Sequence, residues 1–104
     1  MTNLKGLMEL TKIKQIFFEV ISTIPGIVNI NNINGGDKSA PLLDRINVKK
    51  ENEYLSFYVD IDILLGVNVS SLVQEVSQSL HFKFKSSKYK IKEISLFVSG
   101  VIYE

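Results

Sequence analysis

Four groups of residues carry side chains and spacings that could do chemistry. His81 is the only histidine in the chain, and histidine is the side chain that exchanges protons near neutral pH. No serine or acid stands near it in sequence in a way that suggests a nucleophile, base and orienter set. A lone histidine at a helix end reads as a capping or surface group. Asp60 and Asp62 lie two apart on a strand pattern, so both carboxylates point to one face and could hold a hard cation through oxygen. The calcium-loop signature is missing, and acids on a solvent-facing strand are commonplace. Gly35-Gly36 invites comparison with phosphate-cradling loops, but neither glycine-rich nucleotide motif is present and no helix pattern follows directly. It reads as a turn.

The fourth group is the segment HFKFKSSKYKIK, His81 to Lys92. Lys83, Lys85, Lys88, Lys90 and Lys92 interleave with Phe82, Phe84 and Tyr89. Lysines neutralise phosphates and rings stack on unpaired bases, so the pattern suits single-stranded nucleic acid or anionic lipid heads. The competing reading closes the core with Phe82 or Phe84 and uses the lysines to solvate a loop and guard a strand edge. That reading is preferred. No cofactor is expected, and no catalytic or metal-ligating residue is assigned.

The elements that position these residues follow from hydrophobic period. Ile13, Ile16, Phe17, Val20, Ile21 and Ile24 form one helical face, predicting a helix from about Leu7 to Thr23 that Pro25-Gly26 ends. Lysines beside that face would suit a membrane-surface helix, but a domain this small needs the face to cover its sheet. Ile27 to Ile30 reads as a short strand, and Asn31 to Pro41, which includes Asp37 and Ser39, as a loop. A strand is expected near Leu43 to Lys50. A second, beginning at Leu55, alternates Leu55, Phe57, Val59, Ile61 and Ile63 with polar residues. The two should pair as an antiparallel hairpin. Asn68 is the expected N-cap of a second helix, with Val69, Leu72, Val73, Val76 and Leu80 inward, ending between His81 and Phe84. The last strand runs from about Ile91 to Tyr103, and Gly100 marks a bulge or a close approach.

The expected fold is α+β in the order α-β-β-β-α-β. It is a mainly antiparallel sheet with two helices packed on one face. If Tyr54, Tyr58, Phe97, Val101 and Tyr103 lie away from the helices, they form an exposed stripe that marks a protein partner or self-association.

Composition bounds the remaining readings. The chain has 104 residues, 45% hydrophobic and 22% charged, the size and balance of one domain. Twelve basic against eleven acidic residues leave a net charge of +1, too little for a global field toward nucleic acid or membrane. Cysteine is absent, which excludes disulfides and thiolate chemistry and fits a reducing cytoplasm. Met1 to Leu10 contains Lys5 and Glu9 and has no apolar core of signal-peptide length. A cytoplasmic protein is expected.

The run YLSFYVDIDILLGVNVSSLVQEVSQSLHFKF, followed by IKEISLFVSGVIYE, resembles the alkaline shock protein family of Gram-positive bacteria and relatives. The resemblance lies in the alternating strand, Gly66-Val67-Asn68-Val69, the helix with Val73 and Val76 inward, and Val98-Ser99-Gly100-Val101 near the end. The helix leading into Ile24-Pro25-Gly26-Ile27 matches that family's helix and Gly-Val turn. The chain departs from the family pattern in its Asn-rich loop at Asn29 to Asn34, its basic segment after His81 and its lack of charged tails. The resemblance implies a single domain over residues 1–104 and a non-enzymatic protein linked to stress and cell-envelope homeostasis. It also implies self-association or a protein partner, with the membrane reached only through a separate anchor protein. A small nucleic-acid-binding module using residues 81–92 is the alternative.

Overall fold

The computed structural model describes residues 4–36 and 39–103, with the side chains of the first helix from Glu9 onward. Met1 to Asn3, and Asp37 of the expected loop, lie outside the described residues. Helix α1 spans Leu4–Thr23, and strand β1 spans Ile27–Asn31. A 3-10 turn at Leu42–Arg45 precedes β2, Asn47–Glu51, and β3, Tyr54–Leu64. Helix α2 covers Val69–Phe84, and β4 covers Lys90–Ile102. This is the α-β-β-β-α-β order read from hydrophobic period.

The apolar face of α1 lands inward as its spacing requires: Ile13, Phe17, Val20, Ile21 and Ile24 are buried. The chain then turns at Pro25-Gly26, where Gly26 takes φ +96°, a conformation that disfavours any Cβ. On α2, the Asn68 side chain accepts a hydrogen bond from the Ser71 amide at 3.1 Å, an N-cap as predicted. Leu72, Val76, Leu80 and Phe84 of α2 are buried. Val73 is half-buried, and Val69, expected inward, is 43% exposed because it opens the first turn of α2.

Strand β3 is the spine of the sheet. Along one of its edges β2 pairs antiparallel with residues 54–58 and β1 pairs antiparallel with residues 60–63, end to end. The β2–β3 connection is the two-residue turn Asn52-Glu53, with Asn52 at φ 56°. Along the other edge β4 runs parallel to β3 over its whole length. Two of the three pairings are therefore antiparallel. Leu55, Phe57, Val59, Ile61 and Ile63 are buried beneath the helices. Phe57 stands at the centre, 4.8 Å ring to ring from Phe17 of α1 and 6.0 Å from Phe84 of α2.

The structure corrects two expectations. The segment 43–45 is not strand: Pro41 accepts from the Asp44 amide at 2.9 Å and tightens a turn. From that turn Arg45 donates through Nε to the Ala40 carbonyl and through Nη1 to the Ile30 carbonyl. The second concerns β4, which carries irregularities where Lys92 and Ser99 are skipped in its register against β3. An inserted residue reverses every side chain beyond it. Val101 therefore pairs with Ile63 on the helix-covered side, rather than continuing the Phe97 side.

Candidate interaction face of the sheet

Cross-strand partners share a face, so the register defines the side that neither helix covers. Down β3 it presents Tyr54, Ser56, Tyr58, Asp60 and Asp62, with Asn47 and Lys49 from β2 and Asn29 and Asn31 from β1. From β4 come Glu93, Ser95, Phe97 and Gly100. Of the five residues expected in an exposed stripe, Tyr54, Tyr58 and Phe97 share this face. Tyr103 lies just past the end of β4 and is exposed, and Val101 is 45% exposed on the other side.

Tyr58 is held by two contacts, one of them braced in turn by Ser95. Its hydroxyl donates to Glu93 Oε2 at 3.0 Å, and Ser95 Oγ donates to the other carboxylate oxygen at 3.0 Å. The Lys49 ammonium sits 5.4 Å from the ring centroid, within cation–π range. Phe97, opposite Asp60, is 52% exposed. The aromatic rings thus stand on a polar floor, not in a continuous apolar stripe.

Asp60 and Asp62 share a face as their spacing required, and asparagines occupy them. Asn31 Nδ2 donates to Asp60 Oδ1 at 3.1 Å and to Asp62 Oδ1 at 2.9 Å, and Asn29 Nδ2 donates to Asp62 Oδ2 at 3.1 Å. One amide group bridges the two carboxylates, the position a shared cation would need. Among the described residues no cluster of three or more His, Asp or Glu gathers. Asn29 and Asn31 escaped the sequence reading, although their period of two matches that of Asp60 and Asp62. What places them opposite one another is the β1–β3 register.

The basic segment is divided by the fold. Phe84 enters the core, and Tyr89 is half-buried with its hydroxyl donating to Glu9 Oε2 at 2.8 Å. Only Phe82, at 67% exposure, offers a free ring, with Lys85 Nζ 4.9 Å from its centroid. Lys85, Lys88 and Lys90 border a recess of about 430 Å³ that His81 also lines. Lys92 lies apart, 3.7 Å from Glu51 in an exposed ion pair. Lys83 projects from the last turn of α2. Cations there complement the negative end of the helix dipole, which opposes an anion docking at the same place. His81 is exposed on that turn, at the edge of the lysine-bordered recess, where no carboxylate is among the lining residues.

Glu9 links three elements, accepting from Tyr89 and, at 3.2 Å, from Lys50 Nζ of β2. The Tyr89 hydroxyl and the Lys50 ammonium hold its carboxyl below the usual carboxylate range. Hydrogen bonding to Glu9 raises the Lys50 ammonium correspondingly. A separate groove of about 710 Å³ lies between α1 and β1, with Phe18, Ile21, Ile30, Leu42 and Arg45 among its walls. Gly35 and Gly36 lie at its rim, as part of a turn. No helix among the described residues is long and apolar enough to cross a membrane. No protein-family model, curated protein or solved structure matches the chain.

Proposed function

We propose that this chain is a non-enzymatic interaction or scaffold protein, of the kind its resemblance to the alkaline shock family implies. It docks a protein partner on the uncovered face of its sheet. The carrying observation is that both helices pack on one side, leaving Tyr54, Tyr58 and Phe97 standing on the other with Tyr58 already immobilised by Glu93. A ring fixed before binding loses little entropy on contact, which is why such residues anchor interfaces. On this reading the protein works in the cytoplasm in stress or envelope homeostasis and meets the membrane only through a partner. The test compares tagged wild type, Tyr58→Lys and Lys83→Glu in pull-downs. A partner retained by wild type and Lys83→Glu but lost by Tyr58→Lys supports the proposal. Retention indifferent to Tyr58 rejects it.

A second reading, single-stranded nucleic acid on residues 81–92, draws on the exposed Phe82 ring and its neighbouring lysines. It requires RNA affinity that falls steeply with salt and is lost when Lys85 and Lys88 become glutamate. Absence of binding at low salt ends it.

A further inference from the structure

The two long edges of the sheet are finished differently. Along one edge lie two strands of five residues each, β1 and β2. There Arg45 donates to the Ile30 carbonyl at 3.2 Å, and Lys49 and Lys50 line β2. Shortness, charge and cover are the usual means by which an edge is kept from pairing with another chain. The other edge is β4, 13 residues long, whose only partner among the described strands is β3. Its charges are confined to Lys90, Lys92 and Glu93, and from Ile94 to Tyr103 it carries none. Between the irregularities at Lys92 and Ser99, residues 93–98 run unbroken. Phe97 and Val98, in that stretch, are 52% and 37% exposed.

We propose that β4 pairs antiparallel with β4 of a second copy about a two-fold axis at Leu96, joining two sheets into one. A two-fold that keeps the helix layers of both copies on one side must pass through a residue, because strand side chains alternate with period two. Centred on Leu96, it sets Ile94 against Val98 on the helix-covered side and Ser95 against Phe97 on the open side. Ile94 and Val98 make a matched apolar pair, Ser95 and Phe97 meet without like charges, and Lys90 and Lys92 of the two copies go to opposite ends of the seam. A parallel seam would stack each lysine on its twin. The uncharged strip is its own complement, which is what a self-pairing edge requires. The joint sheet also brings two Tyr58–Phe97 faces side by side, so the inference extends the docking reading. The two share Phe97 but are separated by Tyr58, which lies outside the seam, and by Val98, which lies outside the docking face.

Sedimentation equilibrium from micromolar to millimolar concentration is the test, with circular dichroism verifying the fold of each variant. A dimer is expected whose dissociation constant rises about tenfold or more in Val98→Lys and is unchanged in Tyr58→Lys. The chain has no cysteine, so Ser95→Cys and Phe97→Cys can be mixed and air-oxidised. Cross-strand neighbours lie within disulfide reach, and a mixed disulfide is expected there but not between Tyr58→Cys copies. This second measurement decides the case if Val98→Lys fails to fold or if both lysine variants dissociate. A wild type monomeric throughout, a dimer sensitive to Tyr58→Lys alone, or a dimer that forms no 95–97 cross-link overturns edge pairing. A monomer that still captures a partner through Tyr58 rejects the edge and leaves the docking reading standing.

Discussion

Gly100 sits where a side chain has no room. A Cβ built there would lie 2.7 Å from Asp62 Oδ1 and 3.2 Å from its Cγ. Asp62 cannot swing away cheaply, because Asn29 and Asn31 hold both its oxygens. Gly100→Ala should therefore destabilise the fold by roughly 1–3 kcal/mol, the usual range for overpacking. Adding Asp62→Ala should recover part of the loss, as read by urea denaturation of the single and double variants. The close approach was one of two roles that Gly100's place in a strand pattern allowed, and the structure gives it both. Its partner was not readable, since residues 62 and 100 meet only through a parallel pairing.

Between elements, the contact formed by Glu9, Lys50 and Tyr89 ties α1 to β2 and to the segment entering β4. Its pH dependence has a definite sign. Glu9 has a lowered pKa, so its contribution is complete above the ordinary 4.5 and is lost as pH falls through the depressed folded value. Lys50 has a raised pKa, so its contribution is complete below the ordinary 10.5 and is lost as pH rises through the elevated folded value. Wild type should be more stable than Glu9→Gln near neutrality, with the difference shrinking in acid and again in strong alkali. Thermal melts across that range would check it, and a difference constant with pH would refute the linkage. The helices, the hairpin and the Asn68 cap were legible because each rests on local period or on a side chain bonding three residues away. The 3-10 turn at Leu42–Arg45 was not, because it is secured by Arg45 reaching the carbonyl of Ile30, fifteen residues back.

For the molecule as a whole, Phe57 is the point where both helices and the sheet meet. Its ring packs between Phe17 and Phe84 and is fully buried. Phe57→Ala should cost about 3–5 kcal/mol, against a total stability of roughly 5–15 kcal/mol for a domain of this kind. Chemical denaturation should show a large drop in midpoint, whereas Phe97→Ala, on the open face, should change little. The Cα atoms fill 49 × 31 × 17 Å, the thin dimension being one sheet and one layer of helices. That two-layer form leaves one face of the sheet without cover from either helix.

Alternating and helical periods by themselves determined most of the residues of this protein that face the core, Val69 being the exception, because burial of apolar surface rewards a repeat matched to the geometry of each element. They also determined the order of elements and the shared side of Asp60 and Asp62. Only the tertiary structure decided that Asn31 bridges those two carboxylates, that the break at Ser99 turns Val101 toward the helices, and that β4, uncharged from Ile94 on, forms a sheet edge. These depend on register and on which strand lies beside which. Such choices are made by packing between segments distant in the chain, where no local repeat records them.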